Sequence, residues 1–212
     1  MHKSLFVTLE GGEGVGKSTQ LKLLQSALQS LGVTVLTTRE PGGSPGAEDL
    51  RQVLLFGKHP LSQRSEILTH FAARYDHVDQ VINPALEAGT VVICDRFTDS
   101  TMAYQGYGRA NGQAEILDLI NDLQAHLGRD PDLTFLLEAP RDVARLRLAA
   151  RGAPTDRYEL SDEAFHARVL HGFQTIAEQN PRRVKRIKAH GVSPEEINSI
   201  IVKEIRQRLQ SG

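Results

Sequence analysis

The sequence predicts an α/β fold in which a parallel sheet carries helices on both faces. The first observation is the run GGEGVGKS at residues 11–18, which fits the phosphate-binding P-loop pattern G-x-x-x-x-G-K-[ST]. An apolar run at 5–9 precedes it, and leucines recur every three or four residues behind it, so strand, loop and helix follow in the required order. The second observation is that short β-branched runs alternate with helical segments along the chain, which favours a parallel sheet. Because ligands of such sheets bind beyond the carboxyl ends of the strands, we expect the functional site there.

Three strands and the helices between them are predicted in the first half of the chain. The strands are continuous apolar or β-branched runs, and the helices show apolar residues at steps of three or four. Proline and glycine mark a loop at 39–43, directly after the second strand. The predicted strands are 5–9, 33–38 and 90–94; the predicted helices are the one that follows the P-loop and ends at Gly32, 47–56, 65–82, and a short piece that ends at Gly89.

The second half of the chain predicts two further strands, which brings the sheet to five. The helix at the C-terminus begins with a capping box, Ser-Pro-Glu-Glu at 193–196, with proline at its first position. The other elements, in order, are a helix from about 100, a helix over 113–127, a strand at 133–137, a helix from near Pro140, a helix for which Ser161 is the expected N-cap, and a weaker, basic strand at 184–189.

Composition restricts the class of protein. The chain has 212 residues, 40% of them hydrophobic and 24% charged, which is ordinary for a globular protein, and we expect one domain over 1–212. A net charge of −1 creates no overall field that would attract nucleic acid or a membrane surface, so we expect neither partner. The single cysteine, Cys94, lies in an apolar run and is expected to be a buried core thiol rather than a reactive one. A chain that can form no internal disulfide favours the cytoplasm.

The P-loop predicts a site for a nucleoside triphosphate. Its glycines allow successive backbone N–H groups to point into one concavity, at the positive end of the following helix. Lys17 is expected to reach the β- and γ-phosphates, and the Ser18 hydroxyl to bind Mg²⁺. The alternative is a glycine turn that merely caps a strand, which the flanking strand and helix disfavour. The residues expected to contact the triphosphate are Gly11, Gly12, Glu13, Gly14, Val15, Gly16, Lys17, Ser18 and Thr19.

An acidic and a basic residue follow each other at the end of the third strand. Asp95 is expected to help hold the magnesium, as strand-terminal acids do in P-loop proteins; the alternative is a helix-capping or turn aspartate. Arg96 is an expensive charge to place at a buried strand end unless it meets an anion. A substrate phosphate is the preferred partner, and a protein carboxylate is the alternative.

Two spacings on helices predict further contacts. Arg147 and Arg151 lie four residues apart, hence on one helix face, ahead of a Gly-Ala-Pro-Thr break. Such a pair on a lid could stabilise a transferring phosphoryl group, and the alternative is a solvated basic face. Phe71 and Arg74, three apart, would suit a nucleobase; the alternative is a core phenylalanine beside a surface arginine. The basic residues over 182–188 are expected to form a solvated edge strand.

The chain resembles the thymidylate kinases, specifically the bacterial kind, from Phe6 to about Leu209. The loop Arg-Glu-Pro-Gly-Gly and the segment from Asp-Arg-Phe to Tyr-Gln-Gly separate this family from other nucleoside monophosphate kinases. The stretches that carry the resemblance are 8–19, 38–43, 71–74, 95–106, 129–134, 151–152 and 156–157.

The resemblance implies a P-loop nucleoside monophosphate kinase fold, with a five-stranded parallel sheet and a small lid at about 147–160. It implies phosphoryl transfer from ATP to dTMP, which gives ADP and dTDP on the way to dTTP, with Mg²⁺ as cofactor and a homodimer as the assembly. Two rival functions remain: a monophosphate kinase of different base preference, and a nucleotide-dependent switch or binding protein without a phosphoryl acceptor.

The resemblance also assigns residues. Glu13 is expected to contact the deoxyribose 3′-hydroxyl, Phe71 to stack on thymine, and Arg74 to bond the edge of the base. Two departures stand out: Phe97 replaces a Tyr or His, and His70 occupies the earlier of two adjacent positions where the family places its stacking aromatic. The expected substrate-binding set is Glu13, Arg39, Arg51, Phe71, Arg74, Arg96, Ser100, Thr101, Tyr104 and Gln105; the expected catalytic set is Lys17, Arg96, Arg147 and Arg151; and the expected metal ligands are Ser18 and Asp95.

Overall fold

The computed structural model describes residues 4–152 and 157–210, with the Arg151 side chain left out. Its five strands are parallel, in the order β2-β3-β1-β4-β5. The strands are β1 (Leu5–Glu10), β2 (Val35–Arg39), β3 (Val91–Asp95), β4 (Leu133–Glu138) and β5 (Val184–Lys188). The predicted parallel α/β fold is therefore confirmed, with each strand within two residues of its expected bounds.

Helices connect the strands, and two of the connections contain π-helical turns. The α-helices are α1 (Lys17–Ser30), α2 (Pro45–Phe56), α3 (Gln63–His77), α4 (Asn83–Glu87), α5 (Thr98–Thr101), α6 (Ala114–Leu127), α7 (Arg141–Arg151), α8 (Glu163–Gln179) and α9 (Pro194–Gln210). The helix expected over 65–82 is α3 followed by a π-helical segment, Val78–Ile82, and α5 continues into a second one, Met102–Arg109.

Alternation of side chains along the strands supplies a core on each face of the sheet. Leu5, Val7 and Leu9 pack on the face covered by α1 and α9. Phe6 points to the opposite face, where it packs with Val92 and the first π-helical segment, and Cys94 lies fully buried beside them. Each fully buried aliphatic or aromatic side chain contributes about 1.5–3 kcal/mol of transfer free energy, so the two cores fix β1 at the centre of the sheet.

Two local expectations need correction. The N-cap of α8 is Asp162, whose carboxylate accepts a hydrogen bond from the backbone N–H of Phe165 at 2.7 Å, and not Ser161. The basic stretch does lie on an edge strand, but Arg183 is not solvated. Its guanidinium forms two hydrogen bonds with Asp99, at 2.7 and 3.0 Å, because a charge at this depth needs a partner.

The carboxyl ends of the strands form one polar edge. β1 leads into the P-loop and α1, β2 into the Pro-Gly loop, and β3 into the turn at Arg96. None of the described helices combines the length and the apolar content needed to cross a membrane.

Candidate active site

A cavity of about 710 Å³ lies at this polar edge. The P-loop, the start of α1, α3 and the second π-helical segment all contribute to its lining. Residues from the loop after β2, the end of β3, α7 and the turn at 158–159 complete the lining. The structure therefore brings residues from distant parts of the chain around one space.

At the P-loop, the N-terminus of α1 has no side-chain cap and borders this cavity. Gly16 caps α1 in the left-handed conformation, with φ of 105°, and no side chain caps the first turn. Gly11 has φ of 129°, and a Cβ there would collide with the backbone carbonyl of Leu137, so only glycine fits. The uncapped N–H groups at the positive end of α1 suit a phosphate chain.

The Lys17 side chain folds back from the start of α1 onto the P-loop. Its ammonium donates to the carbonyl oxygens of Gly11 at 3.1 Å and Gly12 at 2.7 Å. Burial and the neighbouring Arg96 charge lower the pKa of Lys17, against the pull of Glu13 and Asp95. The other P-loop residues surround it: Glu13, Gly14, Gly16, Ser18 and Thr19 line the cavity, while the Val15 side chain packs in the core.

Asp95 and Ser18 both line the cavity, at the end of β3 and the start of α1. The Oδ1 atom of Asp95 is buried and has no hydrogen-bond partner among the described residues. A buried carboxylate oxygen without a donor is costly unless a cation or ordered water meets it. The residues present therefore fit Mg²⁺, which prefers oxygen ligands and is often held by one or two carboxylates together with substrate phosphates.

Arg96 stands in the left-handed region, with φ of 72°, directly after β3. Its guanidinium donates to Glu13 at 2.6 Å, to the Gly11 carbonyl at 2.9 Å, and to the hydroxyls of Ser100 and Tyr104 at 3.0 and 3.1 Å. Of the two anions weighed from the sequence, the protein carboxylate is present beside Arg96, whose side chain also lines the cavity. The contact with a substrate phosphate stays a prediction.

The two glutamates near Arg96 have opposite pKa shifts. Burial opposes ionisation of Glu13, but the charges of Arg96 and Lys17 outweigh it and lower its pKa to about 2. Burial, with the nearby Asp99 charge, raises the pKa of Glu10 to about 7, although Arg96 and the hydrogen bonds from Ser100 and Phe97 oppose the shift. Glu13 is therefore the anionic partner of Arg96 at neutral pH.

Glu10 is a site residue that the sequence reasoning missed. Its carboxylate accepts hydrogen bonds from the Phe97 backbone N–H at 2.7 Å and the Ser100 hydroxyl at 2.6 Å, so it holds the turn that carries Arg96. The available signal was a lone acid at the end of an apolar strand, directly before the P-loop glycines.

Arg74 is buried and is held by an ion pair with Glu40, at 2.7 Å. It also donates to the Phe97 carbonyl at 3.2 Å and the Thr101 hydroxyl at 3.0 Å. His77 contacts the other oxygen of Glu40, at 3.0 Å. One nitrogen of the guanidinium, Nη1, is buried without a partner among the described residues, although Arg74 lines the cavity. Since such a nitrogen is costly to bury, it is a donor available to a ligand.

The expected stacking residue, Phe71, is placed differently from its neighbour His70. Phe71 is 1% exposed and packs with Ile67, Ile116 and Ile120, while His70 lines the cavity. The physical reason is helix geometry, because His70 shares a face with Arg74, four residues on, and Phe71 is turned about 100° away. The sequence assignment of Phe71 to the cavity wall is therefore corrected to His70; the Phe71 ring instead lies under the Arg74 guanidinium, at 4.8 Å.

A buried polar cluster stands beside His70. The Gln105 amide donates to Glu66 and to the Tyr158 hydroxyl, each at 3.0 Å, and Tyr158 donates to the same Glu66 oxygen at 3.0 Å. His70 Nε2 lies 3.1 Å from the Tyr158 hydroxyl. Gln105 was predicted as a site residue. Glu66 and Tyr158 were missed, since only the fold brings them together.

Two of the expected substrate-binding arginines have protein contacts. Arg51 donates to the Pro41 carbonyl at 2.7 Å, and Arg39 forms an ion pair with Glu48 at 2.9 Å in which both side chains are exposed. Both arginines line the cavity, as do the predicted residues Ser100, Thr101 and Tyr104.

The expected lid falls partly outside the described residues, since 153–156 and the Arg151 side chain are not described. Arg147, from α7, lines the cavity and donates to the carbonyl oxygens of Ala189 at 3.0 Å and Val15 at 3.4 Å. It links α7 to the P-loop and to the loop after β5.

Comparisons with known proteins give a consistent result. The sequence model of the family described as thymidylate kinase matches residues 9–201. The chain is 56% identical to a thymidylate kinase of Gluconobacter oxydans over 207 residues, which cover 98% of this chain and 96% of that protein. It is 48% identical to a thymidylate kinase of Rhizorhabdus wittichii, at 96% and 98% coverage. The crystal structure of a thymidylate kinase from Ehrlichia chaffeensis superposes with a TM-score of 0.76 at 35% identity, covering 96% of this chain and 99% of that one.

Proposed function

Because the chain belongs to the thymidylate kinase family, we propose that it transfers the γ-phosphoryl group of ATP to dTMP in the cavity at the carboxyl edge of its sheet. The products are ADP and dTDP, and the reaction is a step towards dTTP. Nothing in the comparisons supports the alternative of a nucleotide-dependent switch.

The observation that best supports a thymine site is the unpartnered Nη1 of buried Arg74. Thymine carries a carbonyl acceptor, O4, next to an N3–H donor. Arg74 supplies a donor for O4. Gln105 uses its amide hydrogens on Glu66 and Tyr158, which leaves its carbonyl oxygen as the acceptor for N3–H. We place the His70 imidazole against the face of the base, since it lines the same cavity and is linked to Gln105 through the Tyr158 hydroxyl.

The dTMP phosphate would bind at the arginines nearest the P-loop. Arg96 is held in place by Gly11 and Ser100, and Glu13 beside it is available to the sugar 3′-hydroxyl. Arg51 and Arg39 line the same cavity. Tyr104, whose hydroxyl donates to Glu13 at 2.9 Å, would crowd a ribose 2′-hydroxyl and so disfavour ribonucleotides.

The triphosphate of ATP would occupy the P-loop, where the N-terminus of α1 and Lys17 meet its charge. Ser18 and Asp95 would hold Mg²⁺, which when bound supplies positive charge to the β- and γ-phosphates. We propose Lys17, Arg96 and Arg151 as the groups that stabilise the charge that develops during transfer. Arg147, which contacts two backbone carbonyls, would add to them by holding the P-loop in place.

This mechanism needs no protein nucleophile. Phosphoryl transfer is promoted by in-line positioning of two anionic nucleotides and by electrostatic stabilisation of the transferring group. The dTMP phosphate oxygen attacks the γ-phosphorus of ATP, the bond to the β-phosphate oxygen breaks, and ADP leaves.

The test is ADP release from ATP with dTMP, dUMP, dCMP, UMP, AMP and GMP in separate reactions, each with Mg²⁺ and with EDTA. Turnover should strongly favour dTMP, should require Mg²⁺, and should fall by orders of magnitude in Lys17→Ala, because the lysine charge is lost from the P-loop. Preference for another monophosphate would refute the base assignment. Turnover in EDTA would refute the Mg²⁺ site.

We also propose a homodimer and a cytoplasmic location. Apolar side chains that are about half exposed on the packed helices α2 and α3, namely Val53, Phe56 and Leu68, supply area for a subunit contact. Light scattering should give about twice the chain mass of 23.4 kDa, and a mass near that of one chain would exclude the dimer. The lone, buried Cys94 suits a reducing compartment, and fractionation of cells would test that location.

A further inference from the structure

Tyr158 lies at the centre of the polar cluster at the base end of the cavity. Its hydroxyl donates to Glu66, accepts from the Gln105 amide and lies 3.1 Å from His70 Nε2. The tyrosine is 5% exposed, and its ring packs edge-on against that of Tyr104, with centroids 5.6 Å apart. It therefore contacts the groups that meet the base from α3 and from the second π-helical segment.

The hydrogen-bond directions in this cluster follow from one carboxylate. The Glu66 oxygen only accepts, so both Tyr158 and the Gln105 NH₂ group must donate to it. With its own hydrogen used, the Tyr158 oxygen accepts from Gln105 and from His70, which fixes the His70 tautomer as Nε2–H. Burial, with the charges of Arg74 and Arg157, lowers the pKa of His70 to about 3, so the ring is neutral at physiological pH.

The same directions decide what Gln105 offers to a base. Its NH₂ group is engaged twice, by Glu66 and Tyr158, so the amide cannot flip without losing both bonds. The carbonyl oxygen remains, and it suits the N3–H of thymine. Cytosine presents an unprotonated N3 at this position, and a flipped amide would suit it instead.

Tyr158 comes from a part of the chain remote from both helices of the base site. It lies within the span of 147–160 expected to act as a lid, one residue after Arg157, whose guanidinium donates to the Gly57 carbonyl at 3.1 Å. The span thus contributes Tyr158 to the cluster around Gln105 and His70, although Arg147 of α7, at its start, contacts the P-loop.

We propose that Tyr158 is a positioning residue for base recognition, which locks the Gln105 amide and the His70 ring in the orientation that selects thymine. The base site is then complete only when the segment at 157–160 is in place. The proposal rests on the proposed dTMP kinase function and adds to it a determinant outside the helices that carry the base contacts.

The first experiment is equilibrium binding of dTMP and dCMP, without ATP, to the full-length protein and to Tyr158→Phe. Removal of the hydroxyl leaves His70 Nε2 without its acceptor, and it leaves the Gln105 amide held by the bond to Glu66 alone. We expect the Kd for dTMP to rise about ten-fold and the preference for dTMP over dCMP to fall by a similar factor. In separate turnover assays the KM for ATP should be unchanged. A purely structural role would lower the melting temperature without changing the preference between the bases.

The matched control is Tyr75→Phe. Tyr75 lies on α3, as His70 does. Like Tyr158 it bonds a histidine, His126, at 2.6 Å, but at the surface and away from the cavity lining. It should keep wild-type binding of both nucleotides. Equal losses in the two variants would refute the proposal, as would a Tyr158→Phe protein whose Kd for dTMP stays within two-fold of wild type.

A second measurement tests the link to the expected lid. In hydrogen-exchange mass spectrometry, dTMP alone should slow exchange in peptides that cover 157–160 in the wild type, and less so in Tyr158→Phe.

If Tyr158→Phe does not fold, Glu66→Gln replaces it, because the amide can donate and so removes the constraint on Gln105. A wild-type base preference in Glu66→Gln would overturn the proposal, whereas a wild-type enzyme that ignores dTMP would overturn the function on which it rests.

Discussion

At the scale of single residues, neighbouring positions on α3 have separate tasks. Phe71 completes a core formed with α6, while His70 lies on the cavity wall four residues before Arg74. Arg74 joins the two environments, since its guanidinium lies above the Phe71 ring and the residue lines the cavity. Its Nη1 atom has no hydrogen-bond partner among the described residues. Adjacent residues on one helix therefore lie in different environments, and only His70 borders the cavity.

Substitution should separate these two tasks. His70→Ala should weaken dTMP binding about ten-fold, because a flat ring is lost from the proposed base site, while the melting temperature changes little. Phe71→Leu should leave dTMP binding within about two-fold but lower the free energy of unfolding by about 1–2 kcal/mol, since volume is removed from a core. Titration calorimetry and urea unfolding of both variants measure the two effects. The opposite pattern would return the stacking role to Phe71.

At the scale of elements, strand ends and helix starts decide where polar groups lie. β3 ends at Asp95, and Arg96 takes a left-handed conformation that directs the chain into α5. That conformation costs about 1–2 kcal/mol in a residue other than glycine, and the hydrogen bonds that Glu10 accepts from Phe97 and Ser100 hold the turn in it.

The start of α8 gives a prediction at this scale. Asp162→Ala should lower the free energy of unfolding by about 1 kcal/mol, because the carboxylate satisfies the Phe165 N–H and stands at the positive helix end. Ser161→Ala is the control and should change it by less than half as much, since its hydroxyl only donates to the Arg157 carbonyl, at 3.4 Å. Equal losses in urea unfolding experiments would restore Ser161 as a capping residue.

At the scale of the whole molecule, parallel strands bring acids and bases from distant positions to one edge. Glu10 lies there close to the charges of Asp99, Arg96 and Lys17. Asp99 is itself paired with Arg183, the residue directly before β5. The same edge that forms the site therefore contains a buried carboxyl whose pKa is raised to about 7, and this couples the pH to the stability of the entire fold.

The sign of this coupling is testable. Between about pH 4.5 and 7 the folded protein retains a proton on Glu10 that the unfolded chain has released, so this group costs stability as the pH rises. Glu10→Gln removes the titration. The free energy of unfolding of the variant, relative to wild type, should rise by on the order of 2–3 kcal/mol between pH 5 and pH 8. If the difference in free energy of unfolding between the two proteins does not change with pH, the raised pKa of Glu10 is refuted. The pH-dependent contribution of His70 is the same in both proteins and cancels in this difference.

The local patterns of the sequence were sufficient for most elements. Apolar period and β-branched runs predicted the five strands, and the capping box at 193–196 is present, with Ser193 and Glu196 bonded reciprocally through side chain and backbone. The P-loop pattern predicted the loop and the helix start that line the cavity, because its glycines and the helix that follows are contiguous in the chain. The boundary of α8 was wrong by one residue, since Ser161 and Asp162 are equally good caps by type and only the backbone geometry selects one.

The sequence by itself determined the order of the elements, the P-loop with Lys17 and Ser18, and, through its motifs, the thymidylate kinase family. Tertiary structure alone decided that His70, and not Phe71, borders the cavity, that Glu10 holds the turn of Arg96, and that Glu66, Gln105 and Tyr158 share one cluster. The physical reason is the separation of the interacting residues along the chain. Periodicity and motif spacing report interactions between residues close in the chain, whereas Tyr158 lies 92 residues from Glu66 and reaches it only after the sheet and its helices have packed.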